Sequence, residues 1–306
     1  MAHGSASPPS LDLTRAPEGG EVLTIQSGWR LAVREFASNR LAVVGVGILV
    51  FFVVFCFLGP LVYHSNLLQT DLINAHDPPG AGHPLGTDEN GFDVLGELMK
   101  GGQAALEIGF FAAFVAITIG ALVGAVAGLV GGIVDSTLMR IVDIFLSIPF
   151  LFIVLILAVR YGASVLSLSL VIGGFSWQVP ARLIRGEVLT IRERDFVAAA
   201  RTAGSGNGRL IGRHLLPNAF GVIIVNVTFQ VADAILAVAY VGFLGFGLHY
   251  PNLDWGDMIS DGVGYMQDGY WWLIYPVGVC IVLTVMSLNF IGDALRDSLD
   301  VRLRRR

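Results

Sequence analysis

Six long apolar runs, separated by polar segments, dominate the pattern of this chain. The runs extend over residues 41–63, 104–134, 138–159, 163–179, 220–247 and 271–294. They contain 17 to 31 residues each, enough to supply the roughly 20 residues that an α-helix needs to cross a bilayer. The pattern predicts an all-α membrane protein with six transmembrane helices.

The polar segments divide the chain into five parts. Residues 1–27 mix proline, glycine and serine without periodicity, which is typical of a flexible tail. Apolar and charged residues between Trp29 and Arg40 follow helical spacing, so residues 28–63 are expected to form an amphipathic surface helix and the first span. A loop at 64–103, a core of five spans at 104–294 and a basic tail at 295–306 complete the predicted division.

Glycines recur every four residues in the second run, at Gly120, Gly124 and Gly128. This spacing lets the backbones of two helices approach closely inside a membrane. Glycine is also common in transmembrane helices for no special reason, but the regular spacing favours a helix that packs against protein.

The composition agrees with a membrane protein. Hydrophobic residues make up 54% of the chain and charged residues 14%, and the mean hydropathy is +0.71. Soluble domains carry about 25% charged residues. Both cysteines, Cys56 and Cys280, lie inside apolar runs, where cysteine behaves as a small hydrophobic residue, so no disulfide or metal framework is predicted.

The basic residues are distributed unevenly between the two sides of the predicted spans. If the N-terminal tail is cytoplasmic, only Lys100 and Arg160 of the 19 basic residues fall outside. The positive-inside rule therefore predicts that both termini are cytoplasmic. The outer segments are acidic instead, with Asp71, Asp77, Asp88, Glu89, Asp93, Glu97, Asp254, Asp257, Asp261 and Asp268.

The longest internal loop, residues 181–219, is longer than a linker requires. Helical propensity extends over residues 190–203, glycines at 204, 206 and 208 interrupt it, and residues 209–216 can resume a helix before Pro217. A loop that only fixes topology by its charge would explain the arginines. A docking surface for a cytoplasmic partner explains the arginines and the helix-turn-helix order.

The stretch AAARTAGSGNGRLIGRHLLP, residues 198–217, resembles the cytoplasmic signature of ABC-importer permeases. In that family the segment forms a coupling helix that lies in a groove of the ATPase subunit. Ala198 stands where the family often has Glu, and His214 where it often has Ile. The resemblance implies that ten residues couple the chain to an ATPase: Arg194, Asp195, Phe196, Ala199, Ala200, Gly204, Arg209, His214, Leu216 and Pro217.

Two other stretches narrow the resemblance. HPLGTDENGFDVLGEL, residues 83–98, resembles an element of the C-type permeases of dipeptide and oligopeptide importers, with Phe92 in place of the usual Arg. Residues 234–248 and 289–304 are similar to that family's fifth-span end and C-terminal element, with Val301 in place of Pro. The outer motif residues are Leu85, Gly86, Thr87, Asp88, Gly91 and Asp93.

The resemblance, which covers about residues 30–304, implies a type I importer permease fold and a heteromeric transporter. The expected partners are a homologous B-type permease, two ATPase subunits or domains, an extracytoplasmic binding protein and the lipid membrane, but no nucleic acid. The sequence has no G-x-x-x-x-G-K-[ST] pattern. We therefore expect no enzyme activity, cofactor or metal site in this chain, with ATP and Mg on the partner ATPase subunits.

Asp233 is an acidic residue near the middle of the fifth run, where a charge costs about 2.5–3.5 kcal/mol on insertion scales. Relatives commonly have Glu where this chain has Val238. Asp233, with Asn226 and Gln230, could contact the amino group of a peptide in the substrate pathway. A hydrogen bond to the partner permease, or to Asn226, Thr228 or Gln230, is an equally good explanation.

Two local features have simpler interpretations. Asp143, beside Arg140, is expected to form an ion pair at the cytoplasmic edge. An interfacial belt is expected from the aromatic cluster of Tyr265, Tyr270, Trp271, Trp272 and Tyr275. A contact with the binding protein is the less favoured interpretation.

The main alternative function is a secondary transporter that works without ATP. It predicts inverted repeats, paired broken helices and several buried ionisable groups, whereas the spans contain essentially one such group. An intramembrane enzyme is disfavoured because all six histidines lie in loops or the tail. The substrate class comes from the resemblance alone, and relatives that serve nickel chelates, glutathione or haem leave those substrates open.

Overall fold

The computed structural model describes residues 28–65, 70–248 and 251–304. The predicted flexible tail, residues 1–27, lies outside these. The described part of the chain consists of helices and the loops that join them, with one isolated β-bridge between Thr87 and Asp93. The helices are α1 (Gly28–Ser38), α2 (Arg40–Val62), α3 (Val94–Val130), α4 (Gly132–Ser147), α5 (Phe150–Tyr161), α6 (Val165–Gly174), α7 (Gln178–Ile191), α8 (Asp195–Thr202), α9 (Asn207–Leu210), α10 (Leu216–Phe243), α11 (Trp255–Val263) and α12 (Tyr275–Arg304).

Four of the described helical stretches are individually long and apolar enough to cross a membrane. They are Arg40–Val62, Val94–Val130, Asn207–Phe243 and Trp271–Leu299. The pair α4 and α5, bent by 80°, can supply a fifth span. The predicted six transmembrane spans fit this arrangement if α6 and α7 together form the sixth span. Both helices pack along α3.

The helix boundaries differ from the apolar runs in informative ways. Helix α3 begins at Val94, well before the run that starts at Ala104, because the Asp93 carboxylate accepts the Gly96 N–H at 2.8 Å and caps the helix. Residues 94–103 of the predicted loop are therefore helical. The third run is interrupted before Phe150 by Pro149, since a proline disfavours helical backbone in the residue before it.

The predicted boundary between the last span and the basic tail, at residue 295, falls inside one helix. Helix α12 continues through that position to Arg304. Arg296, Arg302 and Arg304 therefore belong to the same helix as the last span.

The glycine seam, formed by Gly120, Gly124 and Gly128 of α3, packs directly against α7. A Cβ built on Gly120 would lie 2.9 Å from the Trp177 carbonyl oxygen, and one built on Gly124 would lie 2.5 Å from the Ala181 carbonyl oxygen. Contacts this short leave no room for a side chain. The predicted close approach of α3 to another part of the protein is confirmed.

Helix α3 lies at the centre of the bundle, since it also packs against α2, α6 and α10. Near its start, the Trp255 indole N–H of α11 donates to the Leu98 carbonyl oxygen at 3.0 Å. Near its end, Leu129 shares a buried apolar cluster with Val197 of α8 and Leu215. We call these two ends of the bundle the α11 end and the α8 end.

Two ion pairs join α4 to α7 at the α8 end. Arg185 donates to both carboxylate oxygens of Asp135, at 2.5 and 2.6 Å, in a partly buried bidentate pair. Asp143 forms the predicted ion pair, but with Arg182 of α7 instead of its neighbour Arg140. These pairs hold α4 against α7.

The glycine seam gives a direct test of this packing. We expect Gly124→Ala to lower the free energy of unfolding by about 1–3 kcal/mol, because its methyl group would overlap the α7 backbone. Thermal unfolding of the purified chain in detergent measures the change. Gly47→Ala is the matched control, since a Cβ at Gly47 of α2 meets no atom within 4 Å. Equal stability of the two variants would contradict the seam.

Candidate coupling site and outer acidic segment

Residues 192–210, which we call the coupling hairpin after its predicted role, follow directly from the end of α7. Helix α7 ends at Ile191, and the Arg192 guanidinium donates to the Gly128 carbonyl oxygen at 2.8 Å. That carbonyl belongs to the last turn of α3, where the helix dipole favours a positive charge. The start of the hairpin is therefore fixed to the end of α3.

A glycine turn joins the two helices of the hairpin. Gly204 has a φ of +82°, in the left-handed region that favours glycine. Its N–H donates to the Arg201 carbonyl oxygen at 2.9 Å, and the Ser205 N–H donates to that of Ala200 at 3.0 Å. This is the Schellman arrangement that ends a helix. The predicted order of helix, glycine turn and second helix is therefore present as α8, Gly204 and α9.

The hairpin is anchored on one side and exposed on the other. Val197 and Leu210 are fully buried in a cluster with residues of α3, α7 and α10. Of the ten predicted coupling residues, Ala200, His214 and Leu216 are half-buried, and the exposed ones are Arg194, Asp195, Phe196, Ala199, Gly204, Arg209 and Pro217. A fixed backbone thus presents a contiguous surface at the α8 end.

A π-turn, Ile211–Leu215, links α9 to α10 without interrupting the helix. Such turns add one residue to a helical repeat and are frequent at functional sites. His214 lies in this turn, and its ring centroid is 6.4 Å from that of Phe196 in α8. Pro217 is the second residue of α10 and directly follows this turn.

Residues 71–93, which contain most of the outer motif, form a compact segment at the α11 end. We call this part of the chain the outer segment. Thr87, which is fully buried, donates through its hydroxyl group to the Asn74 carbonyl oxygen at 2.5 Å and accepts the Asp77 N–H at 2.8 Å. Gly86 and Gly91 both have a φ of +78°. A Cβ on Gly91 would lie 2.0 Å from the Asp71 carbonyl oxygen, so only glycine fits.

The two aspartates of the outer motif have distinct structural roles. Asp88 accepts the Asn90 N–H at 2.9 Å and the Phe92 N–H at 2.6 Å, which closes the turn before α3. Asp93 caps α3, accepts the Tyr63 hydroxyl group at 2.8 Å and lies 2.8 Å from His83 Nδ1. Burial, followed by this hydrogen bond, raises the pKa of Tyr63 to about 12. Leu85, the remaining motif residue, packs against the largest apolar cluster.

Part of the aromatic cluster packs on this segment instead of facing lipid. The Trp272 indole N–H donates to the Thr87 carbonyl oxygen at 3.2 Å, and Tyr265 and Tyr270 flank the His76 ring at centroid distances of 4.6 and 4.7 Å. Trp271 and Tyr275 are about half exposed. The belt interpretation therefore does not account for Trp272.

Acidic residues gather where the outer segment meets α11. Burial raises the pKa of Asp88, and burial together with the nearby Glu89 and Asp88 carboxylates raises the pKa of Asp261. The Tyr265 hydroxyl group donates to Glu89, and this hydrogen bond raises the pKa of the tyrosine. The mutual repulsion of these groups indicates a surface that favours cations.

The predicted substrate-pathway residues share one stripe of α10. Asn226, Gln230 and Asp233 are spaced i, i+4 and i+7; Asn226 is half-buried, Gln230 is buried and Asp233 is exposed. Asn226 donates to the Val222 carbonyl oxygen and Thr228 to that of Val225. Neither pairs with Asp233.

Val238, where relatives commonly have Glu, lies on a different face of α10 from Asp233. Its side chain is 1% exposed and belongs to the cluster between α3, α5, α6 and α10. Five residues correspond to about 140° of helix rotation, so the two side chains point in different directions. The substrate-pathway role of Asp233 thus remains a prediction that depends on its own exposure.

Sequence reasoning did not single out three residues that the fold makes important. Asp135 and Arg185 form the bidentate pair between α4 and α7. Glu97, counted in the sequence only as an outer acidic residue, is 7% exposed in the first turn of α3. Only the contacts between distant segments distinguish these residues from their neighbours.

Two family models match the chain. Residues 108–305 match the family described as binding-protein-dependent transport system inner membrane component. Residues 27–79 match the N-terminal transmembrane domain of oligopeptide transport permease C. The first match includes the coupling hairpin, and together the two matches include all described helices except the start of α3.

Curated relatives match over nearly the whole chain. The dipeptide transport system permease protein DppC of Alkalihalophilus pseudofirmus is 34% identical, over 94% of this chain and 95% of the relative. DppC of Bacillus subtilis is 36% identical, over 92% and 86%. The oligopeptide transport system permease protein OppC of Escherichia coli K12 is 38% identical, over 91% and 93%.

A solved structure has the same fold in the core. A chain of the inward-facing MetNI methionine ABC transporter matches with a TM-score of 0.54 and 24% identity, over 66% of this chain and 96% of that chain. A second crystal form of that transporter gives a TM-score of 0.52. The helix order, the hairpin between α7 and α10 and these similarities lead to one assignment. The chain belongs to the family of binding-protein-dependent transport system inner-membrane components, the permease subunits of ABC importers.

Proposed function

We propose that this chain is the C-type permease subunit of an importer that moves dipeptides or oligopeptides across the cytoplasmic membrane, driven by ATP hydrolysis on partner subunits. The peptide substrate is supported by the curated relatives, whose names specify dipeptide or oligopeptide transport. The partners are a homologous B-type permease, two ATPase subunits or domains, and an extracytoplasmic binding protein. ATP and Mg bind to the ATPases.

In this proposal the α8 end faces the cytoplasm, and both termini lie on that side. The distribution of basic residues supports the orientation, because residues 182–213 contain seven arginines, whereas Lys100 and Arg160 are the basic residues on the predicted outer side. The outer segment and α11 then face the binding protein.

The coupling hairpin is the observation that carries the proposal. Its buried residues Val197 and Leu210 join it to α3, α7 and α10, while Phe196, Ala198 and Ala199 are exposed to a partner. Movement of an ATPase groove around this surface would therefore displace three helices of the bundle together. ATP binding and hydrolysis would bias the permease between outward-facing and inward-facing states in this way.

Ala198 bears on the strength of this coupling. It is exposed beside Ala199 on the surface proposed to enter the ATPase groove. The family often has Glu at this position, so this chain docks without one polar contact. Shape and the surrounding arginines then contribute more of the docking free energy.

Asp233 is proposed to line the peptide pathway. In the described part of the chain its carboxylate has no hydrogen bond or ion pair, and it is exposed on α10. An unpaired acid at membrane depth rarely faces lipid. The side of α10 that carries it is therefore expected to face the cavity between the two permeases, where a peptide amino group can pair with it.

The turn at Gly204 tests the coupling role. We expect Gly204→Val to strain a backbone with a φ of +82° by ~1–3 kcal/mol. Recovery of the ATPase with the tagged chain, and ATP-dependent peptide uptake, should each fall about tenfold. Affinity purification in mild detergent with mass spectrometry measures the first, and uptake of labelled peptide the second.

Gly208→Val is the matched control, because Gly208 lacks a positive φ and a Cβ there meets no atom within 4 Å. Co-purification and uptake should resemble those of the wild type. If both variants retain the ATPase equally, the hairpin is not the coupling element. If the wild-type chain is recovered alone and transports without ATP, the chain is a secondary transporter.

Asp233 gives a separate test of the pathway. Asp233→Asn keeps the shape of the side chain but removes its charge, so uptake of a peptide with a free amino group should fall about tenfold, the value of one charge-assisted hydrogen bond of ~1.5–3 kcal/mol. Co-purification of the second permease and ATPase should be unchanged. Asp233→Glu is the control that retains the charge. Normal uptake by Asp233→Asn would exclude the pathway role.

A further inference from the structure

A small cavity at the α11 end combines acidic and apolar walls. Four carboxylates line it: Asp88 and Glu89 from the outer segment, Glu97 from α3 and Asp261 from α11. Met258 and Leu273 contribute apolar surface. The cavity therefore lies at the junction of three parts of the fold, all on the side that the proposed function assigns to the outside.

Glu97 has no partner for its charge within the described chain. Its side chain is 7% exposed and lines the cavity, yet it forms no hydrogen bond or ion pair there. The charged groups that act on it are all acidic, namely Asp88, Asp261, Asp93 and Asp257. A buried carboxylate among like charges binds a proton, or keeps its charge only where a cation pairs with it.

The neighbouring sequence supplies no cation. Residues 84–99 contain neither Lys nor Arg, and Phe92, which is 5% exposed, occupies the centre of this stretch. Lys100 does not line the cavity; it is exposed, and its ammonium group donates to the Gln103 side chain at 3.3 Å. The ion pairs of the described residues involve other carboxylates.

The size and chemistry of the cavity restrict its occupant. Its volume is about 30 Å³, whereas pockets for small-molecule ligands are roughly 300–1,000 Å³, so it admits the end of one side chain but not a peptide. No three of the described His, Cys, Asp and Glu side chains are arranged to hold a metal ion. Carboxylates beside apolar walls match a lysine, which has a compact ammonium group on an aliphatic stem.

We propose that this acidic cavity is a socket for a lysine side chain of the extracytoplasmic binding protein, which enters when the loaded binding protein docks. The inference rests on the proposed function, because it requires the α11 end to face that partner. Asp261, exposed at the rim, attracts the ammonium group, and Glu97 pairs with it inside. The carboxylates thus stabilise the docked state and increase the rate of encounter.

The test uses the complete importer, isolated through the tagged chain and placed in lipid nanodiscs. The dissociation constant of its peptide-loaded binding protein is measured for wild type, Glu97→Gln and Asp261→Asn at low and high salt. Glu97→Gln should raise the constant about tenfold or more, the usual effect of removing one partner of a buried charge pair. Asp261→Asn should raise it less, with a weaker salt dependence than wild type.

Asp268→Asn is the matched control. It removes the same charge from the same end of the bundle, but Asp268 is exposed and does not line the cavity. Its dissociation constant should equal that of wild type. At saturating binding protein, all three variants should reach the wild-type ATPase rate, which shows that they are folded and assembled.

Four results would overturn the inference, and only one of them also removes the proposed function. Wild-type docking by both Glu97→Gln and Asp261→Asn means that the cavity takes no partner lysine. If the second permease no longer co-purifies with either variant, the cation that pairs with Glu97 belongs to that permease. If docking is unchanged but uptake falls for peptides with a free amino group and not for N-acetylated peptides, the cation that pairs with Glu97 is the amino group of the substrate. A wild-type complex whose ATPase does not respond to the binding protein contradicts the importer itself.

Discussion

The close backbone contact between α3 and α7 is the constraint on which the remaining structure depends. In a membrane, apolar side chains gain little by leaving lipid, so helices associate through packing and polar contacts. The glycine seam permits that packing, and Arg192 and Arg185 extend it at the α8 end through the Gly128 carbonyl and Asp135. The hairpin that follows α7 therefore has a fixed position relative to the centre of the bundle.

Much of the architecture could be predicted because membrane helices obey strong local rules. Apolar run length located the long helices, and the glycine repeat identified the face of α3 that packs on protein. Gly204 was recognisable as a turn because it interrupts a stretch of helical propensity. These features depend on neighbouring residues, which a single sequence displays directly.

Features that depend on contacts between distant segments could not be predicted. The early start of α3 requires the Asp93 cap, and the bend between α4 and α5 divides one apolar run. The ion pair of Asp143 with Arg182 joins residues from different helices. The same limit applies to Glu97, since burial beside Asp88 and Asp261 arises only when the outer segment folds onto α11.

The π-turn between α9 and α10 gives the spacing of the family signature a geometric meaning. Each residue in a helix corresponds to about 100° of rotation, so the residue inserted at Ile211–Leu215 sets the angle at which the hairpin leaves the axis of α10. Removal of a single residue there would leave the side chains of α8 and α9 unchanged but alter the direction in which the proposed docking surface faces. The orientation of the hairpin therefore depends on the number of residues in this stretch as well as on their identity.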